Sequence, residues 1–370
     1  MRRIAVANTP EKVQTFVSCF KKNPARALIS NLHTEIEHLE IGGLSFPFSV
    51  NSGNFCGNCY VCDPITGYVD YALDETRNFS ESPFVRGAVR ALILASAPLV
   101  RATGLNNIVI VNNWLFSTNP IPHLTPQLAR ELKDRLIARY PDKIIAIRSL
   151  NSIADPHSIA ALCAEGYRTL PSRQIYVFSH GGLTEAPSSN MKYDQKLLKT
   201  NAYERVSNDQ FHERDYDRCA KLYSMLYLDK YTHLNPQYTA LFMREMHQNN
   251  LIKLNGMRDQ SGDLIVVTGL FVNGNTLTQP IVGYDTSLPI REGLYRIAMA
   301  IGQDYAIKNQ LFFNMSAGAA HFKRLRNALP VVEVMAIYDH HLPRHQQYAL
   351  RTVEILLKRV GVPLLQRFGL

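Results

Sequence analysis

The chain has 370 residues, 46% hydrophobic and 19% charged. This length is more than one hydrophobic core usually organises and the composition is far from that of disordered chains, so two folded domains are expected. The net charge of +9 suits an anionic small ligand, nucleic acid or a membrane surface. Because no dense basic tract interleaved with aromatic residues occurs, we expect no specific DNA binding.

The most apolar segment is AVRALILASAPLVRATGL, which begins at Ala88. Arg90 and Arg101 interrupt it, so we predict a buried helix and no membrane span. The first residues, MRRIAVANTPEKVQ, lack the long apolar run of a secretory signal. We therefore expect a cytoplasmic protein.

Three of the six cysteines form the run CGNCYVC, namely Cys56, Cys59 and Cys62. Clusters of iron and sulfur or zinc need four ligands, and Thr66 stands where a ferredoxin-type run would have its next cysteine. We predict buried free thiols, with a metal as the alternative. The histidines 340, 341 and 345 do not form a helical metal pair because Pro343 lies between them, so we predict no metal.

Residues 1–180 have an α/β pattern. Strand-like runs come first, and they are RALISNLHTEIEHLEI, LSFPFSVN and CYVCDP. A helix from Ser82 to about Val100 follows, with Ser82 as its N-cap and Pro83 at its first position. The remaining predicted elements are the strand NNIVIVNNWLF, the helix TPQLARELKDRLIARY opened by Thr125 and Pro126, the strand KIIAIRSL, a helix from Asp155 to Cys163 and the strand RQIYVFS.

Residues 181–207 are rich in Gly, Ser and Pro at their start and are predicted to be a linker. Residues 208–370 then show two helices, the second started by Asn235 and Pro236. Three strands follow, LIKLNGMRD, DLIVVTGLFVNG and NTLTQPIVGYD. The last elements are the helix LPIREGLYRIAMAIGQDYAIKN, the strand LFFNMS, the helix AAHFKRLRNAL, the strand VVEVMAIYDHHL and a C-terminal helix.

This order of elements in residues 208–342 is that of the GNAT acyltransferase fold, and the first half repeats part of it. The segments YDTSLPIREGLYRIAMAIG and FFNMSAGAAHFKRLRNALP are similar to the C-terminal half of tandem GNAT proteins. The chain thus resembles the group of Fem-type aminoacyltransferases and related acetyltransferases. The resemblance implies an α/β fold of two tandem halves, each a mostly antiparallel mixed sheet flanked by helices.

A phosphate site is predicted where the strand ending at Asp285 turns through SLPIREG into a long helix. Free N–H groups at a helix start bind phosphate, Arg291 adds charge, and Gly293 lets a ligand approach the backbone. A capped helix with a solvated Arg291 is the alternative. With the strand-end Asn of the family, the predicted cofactor-binding residues are Tyr284, Ser287, Arg291, Glu292, Gly293, Asn314 and Lys323.

In the GNAT fold the thioester arm enters where two central strands separate, and Pro280 favours such a break because proline has no N–H to donate. His321 stands where many GNAT enzymes have a tyrosine that protonates the departing thiolate, and a histidine can do this near neutral pH. Asp285 and Glu333 are the candidate general bases for the amine. A surface role is the alternative for His321, Lys323 and Glu333.

The resemblance implies transfer of an acyl group from acetyl-CoA, another acyl-CoA or a carrier-protein thioester to a small-molecule amine. Direct attack is expected because no serine or cysteine lies in a nucleophile motif. Aminoacyl transfer from a charged tRNA and a non-catalytic binding protein are the alternatives. The acidic residues Asp63, Asp70, Asp74 and Glu75 would repel phosphate. We therefore expect the first half to be a scaffold and acceptor wall, with Trp114 in the core or at the cleft between the halves.

Overall fold

Residues 7–53, 57–78, 82–178, 187–200 and 202–369 are described by a computed structural model. The strands are β1 (Glu35–Ile41), β2 (Leu44–Val50), β3 (Ile108–Val111), β4 (Ile144–Asn151), β5 (Arg168–Phe178), β6 (Glu204–Val206), β7 (Lys253–Arg258), β8 (Leu264–Asn273), β9 (Thr276–Tyr284), β10 (Phe312–Asn314) and β11 (Leu329–Tyr338). The helices are α1 (Pro10–Lys22), α2 (Ala25–Leu28), α3 (Ala72–Glu75), α4 (Pro83–Ala102), α5 (Pro126–Arg139), α6 (Pro156–Ala164), α7 (Ser189–Thr200), α8 (Tyr216–Tyr227), α9 (Ala240–Gln248), α10 (Leu294–Asn309), α11 (Ala320–Arg324), α12 (Arg344–Leu356) and α13 (Val362–Phe368).

All eleven strands form one mixed sheet in the order β1-β2-β3-β4-β11-β5-β10-β9-β8-β7-β6. Each half contributes one parallel pair, β3 with β4 and β9 with β10. The last strand of each half pairs with a strand of the other half. Strand β11 of the second half pairs with β4, and β5 of the first half pairs with β10. The predicted α/β class with a mixed sheet is confirmed, and the exchange of β5 and β11 joins the two predicted halves into one sheet.

The strand predicted over CYVCDP is wrong. Cys59 N–H donates to the carbonyl of Asn31, and the Asn58 side chain accepts from the backbone of His33 and Cys59. The Asp63 carboxylate then accepts from Ile65 and Thr66 N–H, which starts a π-helical turn (Thr66–Tyr71). Asp63 caps this turn as short polar side chains do at helix starts, and this local bonding replaces a strand ladder.

Two further predictions differ in detail from the structure. Helix α9 begins after Thr239, whose side chain accepts from Phe242 N–H, and does not begin at Asn235. The predicted linker, residues 181–207, contains helix α7 and strand β6, while its residues 181–186 and 201 lie outside the described residues. The Ser82 and Thr125 caps of α4 and α5 are confirmed.

Cys59 and Cys62 are buried free thiols, as predicted. Burial raises the pKa of the Cys59 thiol to about 12 and the pKa of Cys62 well above its usual value, so both sulfurs stay protonated. Cys56 lies outside the described residues. No group of three or more His, Cys, Asp or Glu side chains suited to a metal occurs in the described ranges.

The largest core cluster is shared by both halves. Trp114 is fully buried and packs on Phe16 and Phe271, with ring centroids 5.1 Å apart in both pairs. Trp114 therefore belongs to the core rather than to the cleft. Buried asparagines add polar contacts between the halves, since Asn8 bonds to the side chains of Asn112 and Asn273. Buried polar groups paired in this way fix the relative position of the packed elements.

The prediction that the most apolar segment is buried is wrong. Among the described residues one helix, α4, is long and apolar enough to cross a membrane, yet only 11% of its apolar window is buried. Only Ala97 and Val100 of this helix are buried. Phe84 is 85% exposed, and Leu94 is 55% exposed.

Candidate functional site

The sheet opens between β9 and β10. The two strands pair in parallel only at three positions, which end with Asn314 opposite Thr278. Strand β9 continues through Pro280 to Tyr284, whereas the chain after β10 turns towards β5, where Met315 N–H donates to the carbonyl of Tyr176. The predicted break at Pro280 is confirmed, and the two strands form a V whose apex lies at Thr278 and Asn314.

The predicted phosphate turn lies at the open end of this V, directly before α10. Gly293 has φ 65°, and a Cβ there would come within 2.9 Å of Leu197 Cδ2 in α7. The Arg291 side chain is 84% exposed and lies 3.7 Å from Glu292. Glu292 also accepts a hydrogen bond of 2.9 Å from the Tyr203 hydroxyl. The predicted turn is thus present. Its exposed cation, Arg291, lies beside the carboxylate of Glu292, and this negative charge weakens the attraction of the turn for phosphate.

Asp285 is held in an ion pair at the same turn. Its carboxylate accepts from Arg218 Nη2 at 2.6 Å and from Ser287 N–H at 3.0 Å. Burial alone would raise the pKa of Asp285, but the hydrogen bonds from Ser287 and Arg218 outweigh it and hold the pKa below its usual value. Asp285 lies seven residues along β9 from Thr278, about 23 Å of extended chain. Asp285 and Asn314 therefore lie at opposite ends of the V.

The apex of the V contains Asn314 and Lys323. Asn314 is buried, and its side-chain oxygen accepts from Ser316 N–H at 2.9 Å. Lys323 is 3% exposed, and its Nζ donates to the carbonyls of Ser316 and Ala317 at 3.1 and 2.7 Å. Burial, and then the positive charge of Arg173, lowers the pKa of Lys323 to about 7. His321, two residues earlier on α11, is exposed.

The titration of Lys323 gives a testable pH dependence. The unfolded chain holds this proton up to a pKa near 10.5 but the folded chain only to about 7, so the unfolded state binds more protons between these values. Stability from this group therefore rises with pH from about 7 to 10, on the order of 1 kcal/mol per pH unit. Lys323→Met removes the titration. We expect the free energy of unfolding of wild type to rise relative to that of the variant between pH 6 and pH 9.

Denaturant unfolding at both pH values measures this shift. The carbonyls of Ser316 and Ala317 lose a donor in the variant at every pH, so that cost cancels in the comparison. A difference that is equal at pH 6 and pH 9 contradicts the assigned burial of a titrating Lys323. Lys221→Met, at an exposed position, is the matched control and should show no pH-dependent difference.

Glu333 lies on β11 opposite Arg173 on β5. Glu333 is 2% exposed, and its two oxygens accept from Arg173 Nε at 2.9 Å and Nη2 at 3.2 Å. Arg173 Nη2 also donates to the carbonyl of Ser117 and to Thr118. A surface role for Glu333 is thus wrong, and this carboxylate forms a buried ion pair between the exchanged strands.

Next to this pair lies a group of four tyrosines, Tyr60, Tyr71, Tyr227 and Tyr295, and we infer that they line a cleft, here called the tyrosine cleft. Each of these side chains keeps some accessible surface, yet burial raises the pKa of each one. The combination is typical of a deep cleft. The Tyr60 and Tyr71 rings have centroids 4.7 Å apart, and Tyr227 is close enough to Tyr60 and Tyr295 to affect their electrostatics.

The tyrosine cleft joins the two predicted regions of the site. Tyr295 packs on Tyr284, at the end of β9, with ring centroids 6.2 Å apart. At the other end, the Arg148 guanidinium lies 5.7 Å from the centre of the Tyr60 ring. The charge of Arg173 acts on the pKa values of Tyr60, Tyr71 and Tyr227. The cleft thus runs from the start of α10 to two cations at the seam between the halves.

An open cavity of 570 Å³ adjoins this cleft. Tyr231 lines the cavity and stacks near Tyr227, with ring centroids 6.2 Å apart. Asp70, Asp74 and Asp229 add carboxylates to its wall. Arg77 and Arg90 line the same wall, and Arg77 lies 3.6 Å from Asp74, so the wall keeps only a small excess of negative charge. Cavities of this size accept small ligands.

The tyrosines and the two arginines of the cleft were missed by the sequence analysis. One signal was present, because Tyr223 and Tyr227 are four residues apart and share a face of α8. The positions of Tyr60 and Arg148 depend on the exchange of strands between halves, which no local pattern encodes.

No family model matches the sequence, and no curated protein matches it. The structure of FemX matches with a TM-score of 0.52 and 7% identity, over 91% of this chain and 98% of FemX. The chain has a tandem GNAT fold. A tandem GNAT protein from the clavulanic acid biosynthesis pathway matches with a TM-score of 0.40 and 10% identity, over 92% of this chain and 98% of that one. L-PGS from Bacillus licheniformis matches with a TM-score of 0.48 and 8% identity, over 95% of this chain and 99% of L-PGS.

The two parallel strand pairs of the sheet differ in how far they stay together. Strands β9 and β10 pair at three positions only, and their opening is continuous with the tyrosine cleft. The equivalent parallel pair of the first half, β3 and β4, stays paired over four positions from Ile108 to Val111.

Proposed function

We propose that the protein is a transferase that moves an acyl group to an amine in the tyrosine cleft. The opening of the sheet between β9 and β10 carries this proposal, because it offers an extended slot that leads to buried hydroxyl groups and cations. An acyl donor lying in the V would bring its carbonyl carbon to the apex near Asn314. The amine would approach from the cavity beside Tyr231.

The chemistry of the cleft suits this reaction. A neutral amine attacks the acyl carbon and the bond to the leaving group breaks. The nitrogen loses one proton and the leaving sulfur or oxygen takes one, so the net change is transfer of a proton from the amine to the leaving group. Tyrosines with raised pKa values stay protonated, so Tyr227 or a neighbour donates a hydrogen bond to the developing oxyanion or a proton to the leaving group. Arg148 and Arg173 oppose the charged form of a bound ammonium and so favour the nucleophilic amine.

Two classes of acyl donor fit the open end of the V. An acyl-CoA would place its pyrophosphate at the turn from Ser287 to Gly293, with Arg291 as its cation. An aminoacyl ester on tRNA is the second candidate, because its reacting end needs no pyrophosphate at that turn, where Glu292 lies beside Arg291. In either case we propose that His321 and Lys323 act near the apex and that Asp285 orients the turn through Arg218.

Tyr227→Phe tests the proposed chemistry. We expect turnover at saturating donor to fall about 10²-fold, the usual cost of removing a donor to an oxyanion, while donor affinity stays within twofold. Tyr193→Phe, at a tyrosine that is 60% exposed, is the matched control and should leave turnover unchanged. Acetyl-CoA, longer acyl-CoA and aminoacyl-tRNA would be compared as donors, first by calorimetry and then by transfer to a panel of amines.

Arg291→Glu separates the two donor classes. If the donor is an acyl-CoA, this variant should bind it at least tenfold more weakly, since it reverses the one exposed cation of the turn. Transfer from aminoacyl-tRNA at an unchanged rate in the same variant would assign the second donor. Full turnover by Tyr227→Phe with every donor, or no binding of any donor, would overturn the proposed function.

A further inference from the structure

Helix α4 presents an apolar surface to solvent. It has 20 residues, and its apolar window has a mean hydropathy of 1.4. Phe84, Leu92 and Leu94 are 85%, 38% and 55% exposed. Exposed apolar side chains along a helix that the rest of the fold leaves uncovered mark a place where another surface binds.

The helices on this side of the molecule carry an excess of positive charge, while Asp70 and Asp74 line the cavity that Arg90 of α4 also borders. Helix α4 contains three arginines and no carboxylate, and residues 344–368, which include α12 and α13, contain five Arg and Lys and one carboxylate, Glu354. Val353 of α12 packs in one cluster with Ala97 and Val100 of α4, so the helices form one surface. These two segments therefore account for most of the net charge of +9.

Helix α12 adds an exposed stripe to this surface. Arg344, Tyr348, Arg351, Ile355 and Lys358 are exposed and spaced three or four residues apart, which places them on one face. Tyr348 is 64% exposed and Ile355 is 45% exposed. Apolar and aromatic side chains thus alternate with cations, the pattern of helices that lie in a lipid interface.

We propose that α4 and the exposed stripe of α12 are a docking surface for an anionic lipid bilayer. Charge complementarity selects this occupant, because anionic headgroups match a cationic surface while the apolar side chains enter the acyl boundary. A second copy of the chain would bring like charges together, which is unfavourable. Since Ala97 and Val100 pack against Val353 and Arg90 Nη1 donates to Leu73 and Thr76, α4 lies on the bilayer and does not cross it.

Vesicle co-sedimentation of the full chain tests the proposal. We expect binding to vesicles that contain phosphatidylglycerol, at least tenfold weaker binding to pure phosphatidylcholine, and release by high salt. Leu92→Glu with Leu94→Glu should weaken binding at least tenfold, and so should Arg351→Glu with Arg359→Glu. All four side chains are exposed, so thermal unfolding of both variants should stay close to that of wild type.

Two control variants match these changes elsewhere on the surface. Ile153→Glu alters an apolar side chain that is 41% exposed, and Lys21→Glu with Lys221→Glu makes the same change of net charge at exposed sites. Both should bind vesicles as wild type does. Absence of binding to phosphatidylglycerol, or equal weakening by the controls, overturns the proposal. A dimer in sedimentation analysis that Leu92→Glu with Leu94→Glu dissociates, without vesicle binding, would assign the surface to a second copy instead.

Discussion

Glu333→Gln should lower the free energy of unfolding by about 3 kcal/mol. The change leaves Arg173 charged between two central strands, β5 and β11, with its partner oxygens replaced by one neutral amide. Glu333 is 2% exposed, and Arg173 holds it through two hydrogen bonds, so little solvent screens the loss. Denaturant unfolding of wild type and variant measures the effect.

The control is an ion pair on the surface. Glu131 lies 2.5 Å from Arg135 on α5 with both side chains partly exposed, so Glu131→Gln should cost less than about 1 kcal/mol. The double variant Arg173→Met with Glu333→Leu removes both charges and should recover part of the loss. Its recovery is incomplete because Ser117 and Thr118 lose their donor. Equal costs for Glu333→Gln and Glu131→Gln would show that the pair is not buried.

Most elements of the second half could be predicted because their signals are local. Turn residues separate β7, β8 and β9, and the apolar periodicity of α10 is interrupted only at its ends. Pro280 marked the opening of the sheet because a missing N–H prevents a ladder wherever it stands. Helix caps at Ser82 and Thr125 were equally local, since each side chain accepts from an N–H three residues later.

The parts that could not be predicted depend on contacts distant in sequence. The cleft needs Tyr60 from the first half beside Tyr227 from the second. The exchange of β5 and β11 brings the halves together, and it produces no periodic pattern in the sequence. Helix α4 was predicted as buried because apolarity indicates burial in most soluble helices. Whether α4 is buried depends on whether other elements of the fold pack on it, and its own sequence pattern does not show this.

The predicted site residues also divide into those placed by local sequence and those placed by contacts distant in sequence. Tyr284, Ser287, Arg291, Glu292 and Gly293 share one turn because they are neighbours in sequence, whereas Asn314 and Lys323 meet at the apex through a tight loop after β10. Glu333 lies with Arg173, which no local pattern had indicated as its partner.

Gly283→Ala should destabilise the protein by about 3 kcal/mol and disturb the tyrosine cleft at the same time. Helix α8 lies directly on β9 at this glycine, where a Cβ would come within 2.6 Å of Leu222 C and of Tyr223 N. These are backbone atoms, so no rotamer change relieves the clash and the helix must move, and overpacking of this kind typically costs about 1 to 3 kcal/mol or more. Because α8 carries Tyr227, we expect turnover to fall even where the variant remains folded, as a shift near 1 Å can cost about 10²-fold.

Gly87→Ala is the matched control, since Gly87 lies within α4 and a Cβ there meets nothing within 4 Å. A glycine in an exposed helix costs about 0.5 to 1 kcal/mol relative to alanine, so this variant should be slightly more stable than wild type and equally active. Thermal unfolding and a transfer assay of both variants separate the two effects. If Gly283→Ala unfolded at the wild-type temperature, α8 would not contact β9 as closely as the structure has it. If it unfolded earlier but kept full turnover, the position of Tyr227 would not limit the reaction, and the tyrosine cleft would lose its assigned place in the chemistry.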